Sequence, residues 1–130
     1  MSAQHTFHIS RMSNEKNDWQ RGLDFYKDEI KIHAHRLSDV SGMYAPKDEM
    51  KPQVEHFQNQ FIVQRDNIDQ LSHDLGSFEN KVSQEAQKMA EHISDITLAE
   101  HDALRKRYTE LEKTINDLRH EHNAFLVKYI

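Results

Sequence analysis

The chain has 130 residues and a mass of 15.4 kDa, with 17 basic against 22 acidic side chains, a net charge of −5 and an isoelectric point of about 6.0. Charged residues make up 30% and apolar residues 36%, while three Gly and two Pro are too few for the many turns of a sandwich or barrel. The lack of Cys removes disulfides, thiolate catalysis and Cys-ligated metals, and no apolar run reaches the roughly 20 residues that span a bilayer.

In chain order, residues 1–13 are polar and without period, and are expected to form a flexible tail without the apolar core of a signal peptide. Residues 14–130 are expected to form one all-α domain of three helices, at about 17–42, 48–93 and 98–129. Asn17-Asp18-Trp19-Gln20 offers a start for helix 1. Its apolar stripe is Trp19, Leu23, Tyr26, Ile30, His33, Leu37, Val40 and Tyr44. Ser41–Pro46 and Pro52 punctuate the chain before helix 2. There the stripe is Met50, Val54, Phe57, Phe61, Gln64, Ile68, Leu71, Leu75, Phe78 and Val82. It then slips by an extra step of four through Ala86 and Met89. Thr97-Leu98-Ala99-Glu100 fits a capping box for helix 3, whose stripe is His101, Leu104, Tyr108, Leu111, Ile115, Leu118, His122, Phe125 and Tyr129. Alternating steps of three and four are the heptad seam of coiled-coil-like packing. The expected fold is an elongated antiparallel three-helix bundle with a long central helix.

Pairing the helices about their loops places Trp19 by Leu118, Leu23 by His122, Tyr26 by Phe125 and Ile30 by Tyr129. A central helix of about 46 residues would run roughly 69 Å, with helix 1 along its first half and helix 3 along its second. Three helices then meet only near 19–30, 60–71 and 118–129, and two-helix arms extend beyond. Covering those arms calls for a homodimer, for which Phe25, Ile32, Ile62 and Val63 are left over as apolar contacts. Ala86, Ala90 and Ala103 would allow close approach on the longer arm.

Ten histidines raise the question of metal. His33, His101 and His122 lie in the seam, but the expected register puts them on three levels where they do not converge. No Glu-x-x-His of the carboxylate-bridged di-iron bundles occurs; Asp117-Leu118-Arg119-His120 is the nearest approach. His5-Thr6-Phe7-His8 and His120-Glu121-His122 suit adventitious surface binding at most. Arg105-Lys106-Arg107 is the sole basic cluster and sits among Glu100, Asp102, Glu110 and Glu112, a solvated helix face and not a nucleic-acid footprint. Phosphate loops, nucleophile elbows and His-Glu-x-x-His are all missing from the sequence. No catalytic, cofactor-binding or metal-ligating residue is therefore assigned.

Val54–Asp66 carries amides (Gln58, Asn59, Gln60, Gln64) where a free helix face has Glu and Lys, so this face is expected to be packed. With Leu23–Ile30 and Arg36-Leu37, it resembles small uncharacterised all-helical proteins of Bacteroidetes-type bacteria. The resemblance covers helices 1 and 2 and implies a bacterial cytosolic origin without a known activity. The expected function is a non-enzymatic, cytoplasmic interaction module that forms a homodimer and docks an unknown protein partner, with no role on nucleic acid or in a membrane. The alternative is a metal- or cofactor-binding bundle that uses the seam histidines.

Overall fold

A computed structural model describes residues 3–44, 49–88 and 93–129 of the chain. They form three α-helices: α1 (Ala3–Tyr44), α2 (Lys51–Lys88) and α3 (Asp95–Tyr129). No strand occurs among the described residues, and none of their helices is long and apolar enough to cross a membrane. The helices pack side by side as an all-α three-helix bundle. The chain groups into two compact units, unit 1 (Met1–Leu23 and Asp69–Glu110) and unit 2 (Asp24–Ile68 and Leu111–Ile130).

Heptad spacing selects the interior. Every described stripe residue of α1 from Trp19 to Val40 is buried, as is every stripe residue of the second helix from Met50 to Phe78. On α3 the stripe residues His101, Leu104, Ile115, Leu118, His122 and Phe125 are buried, while Tyr108, Leu111 and Tyr129 are half-buried. The Tyr44 side chain, Met89 and Ala90 lie outside the described residues. Gly76 does not interrupt α2.

Three expectations are corrected. First, the helix does not start at 17: α1 begins at Ala3, so residues 3–13 are its opening turns and not a loose tail. Stepping the stripe back from Trp19 by fours and threes reaches Glu15, Met12, His8 and His5. The heptad continues on mostly polar residues, which hides it from an apolar pattern. Met12 is buried, and Glu15 is held by Arg105 of α3 at 2.7 and 2.9 Å.

Second, α3 starts at Asp95 and not at about 98, so its first turn falls earlier than the sequence pattern placed it. The register moves with it. In unit 1, Trp19 stacks on Tyr108 and Arg107 pairs with Asp74. In unit 2, Glu29 pairs with Arg119 and His33 meets His122. Among the described residues α1, α2 and α3 run over 42, 38 and 35 residues. All three helices contribute to each unit, so neither unit contains the bare two-helix arm that the sequence pattern implied.

Third, the α3 cap is not a Thr97–Glu100 box. Ser94 is the N-cap: its Oγ accepts the Thr97 backbone N–H at 3.2 Å. Glu85 of α2 takes over the reciprocal carboxylate's role, accepting the Ser94 N–H and the Thr97 hydroxyl, each at 2.6 Å. Those bonds, the Thr97 hydroxyl's first, hold the Glu85 carboxyl below its ordinary pKa. A partner nine residues upstream of Ser94 and twelve upstream of Thr97 is invisible to a local capping motif.

Gly22 marks a close approach within unit 1. A Cβ there would collide with the Tyr108 hydroxyl and lie 3.0 Å from Tyr108 Cζ, whereas nothing lies within 4 Å of one added at Gly76. Gly76→Ala is therefore expected to add about 1 kcal/mol from helix propensity alone. Gly22→Ala must displace a ring that Trp19 stacks upon, and overpacking costs about 1–3 kcal/mol. It is expected to destabilise, and urea unfolding of both variants checks the difference in sign.

Candidate functional site

The interior of unit 2 holds a histidine pair that the sequence register had placed apart. His33 of α1 and His122 of α3 approach with Nδ1 to Nδ1 at 2.7 Å. One Nδ1–H must donate to the other bare Nδ1, because two N–H groups would face each other at that distance. The accepting ring is neutral in this arrangement, with its proton on Nε2. Phe61 meets His122 edge to face (4.9 Å, 84°), and Phe57 and Phe125 complete an aromatic cage with centroids 5.0 and 6.2 Å from it. His122 is fully buried and its Nε2 has no hydrogen-bond partner.

This setting opposes charge. Burial, then the His33 and Arg36 charges, pushes the His122 pKa down to about 4. Burial also lowers that of His33, against the raising effect of Glu29. Glu29 is itself tied to Arg119 at 3.1 and 3.3 Å. Protonating the accepting nitrogen would break the hydrogen bond and place a cation in the cage, so the pair holds one N–H between two rings and resists a second proton.

Unit 1 treats its seam histidine differently. His101 packs between Trp19 (5.0 Å) and Phe78 (5.9 Å), with Nε2 3.4 Å from Glu15. Glu15 is mainly the partner of Arg105, whose hydrogen bonds hold its carboxyl below the ordinary range. Burial lowers the His101 pKa more than Glu15 raises it. Two members of the basic triplet are thus bound to carboxylates: Arg105 to Glu15 and Asp102, and Arg107 to Asp74. The sequence pattern does not reveal the Glu15–Arg105 and Asp74–Arg107 pairs, since its registers of α3 against α1 and against α2 differ from the observed ones.

The amide face is solvated in part. Gln58 and Asn59 are exposed, Gln60 is half-buried, and Gln64 is buried as a stripe residue that accepts from Asn67 at 3.3 Å. Side chains of His5 and His8 lie outside the described residues. In the other histidine cluster His120 is exposed while His122 is buried, so they do not share a site. No group of three or more His, Asp or Glu able to hold a metal gathers among the described residues.

Among the described residues the large apolar side chains left exposed are Phe25 and Ile32 on α1, Ile62 and Val63 on α2, and Ile96 and Val127 on α3. Phe25 and Ile32 stand seven residues apart, two helical turns along one flank. Ile62 faces the groove between α1 and α2, and Val63 follows it about 100° further round the helix. The four positions expected to form one contact thus point in different directions, and only the α1 pair shares a face. Comparison with protein-family models, with curated proteins and with solved structures finds no match.

Proposed function

We propose that the chain is a non-enzymatic helical interaction module, at work in a bacterial cytoplasm, that self-associates through the outer flank of α1 in unit 2. The observation that carries this reading is the exposure of Phe25 and Ile32, 59% and 52%, at heptad spacing on one flank. A two-fold axis would lay this flank against its own copy and remove both side chains from water on each protomer. Three helices contribute to each unit, so a second copy would cover this flank of α1 and not a bare two-helix arm. A metal- or cofactor-binding bundle has less support: the His33–His122 pair supplies two nitrogens where a structural zinc takes four ligands.

Light scattering at micromolar concentration is expected to give twice the 15.4 kDa chain mass. Ile32→Asp is expected to return it to one chain mass with helicity unchanged, because the side chain makes no part of the core. A specific joint should bury more than about 1,000 Å² in total. A single-chain mass for the wild type would overturn self-association, and an unaffected Ile32→Asp dimer would move the interface off α1.

A further inference from the structure

The groove between α1 and α2 in unit 2 is a trough of about 580 Å³. Its floor is apolar, made by the buried Ile30, Leu37 and Phe61, and Ile62, 51% exposed, forms part of one wall. Along α1 the lining positions Lys27, Lys31, Ala34 and Ser38 step by four, three and four, which repeats the heptad of the buried stripe on a neighbouring flank. On α2 they are Gln58, Ile62 and Arg65, stepping by four and three. Both walls therefore offer side chains at the period another helix would meet. Ala34 and Ser38 are small and lie one turn apart, which leaves room for a bulky side chain to seat between the walls.

Charge selects the occupant. Of the charged residues that line the trough, Lys27, Lys31 and Arg65 are cations and Asp28 alone is an anion, in a chain whose net charge is −5. All lining residues come from two adjacent helices, so no described residue roofs the trough. A small amphiphile lying in it would stay half in water, whereas ligand pockets bury 70–90% of a small ligand's surface. A helix supplies its own outer face. We propose that this trough docks an acidic amphipathic helix of a partner protein, which sets apolar side chains on Phe61 and Ile62 and carboxylates against Lys31 and Arg65. Phe25 and Ile32 do not line the trough, so the proposal stands apart from self-association.

The test uses the full chain and a synthetic 18-residue helix with Leu at heptad positions and Glu on the flanks. Its counterparts are the same peptide with Lys for Glu, and laurate. Isothermal titration is expected to show the Glu peptide binding at least tenfold tighter than the Lys peptide, and weakening as salt rises. Ile62→Asp and Arg65→Glu should each weaken it by tenfold or more. Both positions are exposed, and an unchanged melting temperature shows the fold intact. Ala34→Leu, which fills the trough without a charge, is the second variant and should also weaken binding. Equal affinity for the two peptides, affinity indifferent to all three substitutions, or binding of laurate alone would overturn the proposal. So would loss of self-association in Ile62→Asp, which would make the trough a contact between copies.

Discussion

Trp19→Ala is expected to lower the unfolding free energy by about 3–5 kcal/mol, the range for removing a large aromatic from a core. Trp19 is 7% exposed, and its ring lies 5.0 Å from that of His101 and stacks on Tyr108 at 6.1 Å. Tyr108 in turn covers Gly22, one turn along α1 from the tryptophan. Truncation therefore opens a hole between the α1 backbone and two rings of α3, and the rings cannot collapse into it without dragging their helix. Domains of this size are stable by about 5–15 kcal/mol, so the loss is a large share of the whole. Chemical denaturation followed by far-ultraviolet circular dichroism measures it, since the substitution removes the chain's one Trp fluorophore. Lys31→Ala, at an exposed position, should stay within about 0.5 kcal/mol. A Trp19→Ala variant that unfolds like the wild type would mean that α1 does not pack on α3 in unit 1.

Acidification is expected to destabilise the protein well before its carboxylates titrate. In the unfolded chain a histidine takes up its proton near pH 6.5, whereas folded His122 waits until about 4. Between those values the unfolded state binds more protons, so stability falls as pH drops through the window. His122 alone accounts for about 2 kcal/mol between neutral pH and pH 5. His33 and His101, both lowered by burial, act in the same direction. The groups facing the pair from α1 and α3 do not reverse this: Arg36 and Arg119 oppose a proton, and Glu29, which favours one, is bound to Arg119. Glu15, Asp74 and Glu85, whose folded pKa values are lowered, add their own loss only as pH falls below about 4.5. In His122→Gln the slope of stability against pH between 7 and 5 should shrink, although the variant starts lower. A flat wild-type profile would place the histidines in contact with water or with carboxylates.

The histidine pair shows how a site can be half legible. Both members sit at heptad positions, so their burial followed from the stripe; their meeting did not. A register drawn from loop positions puts His122 beside Leu23, because it sets 97 opposite 92, whereas Thr97 meets Glu85 and Arg107 meets Asp74. A few residues of error at one connection displace every partner on α3, since antiparallel helices move past each other by twice the shift of their turn. The Glu15–Arg105 pair was lost for the same reason, and the start of α1 because its heptad slots there are Glu15, His8 and His5. Gly22 carried no signal at all: the need for it comes from a tyrosine on another helix.

The amino-acid order carries the helices, the burial of the stripes from Trp19 to Val40 and from Met50 to Phe78, and the exclusion of Phe25 and Ile32, because a 3.6-residue period and apolar spacing are local properties of one helix. Partnership was decided only in three dimensions. Heptad stripes are nearly self-similar under a shift of seven residues, so many registers bury the same residues equally well. What separates them is the specific fit of unlike groups: Glu85 at the Ser94 amide, Tyr108 over Gly22, Arg119 on Glu29, and one imidazole donating to another inside a ring of phenylalanines.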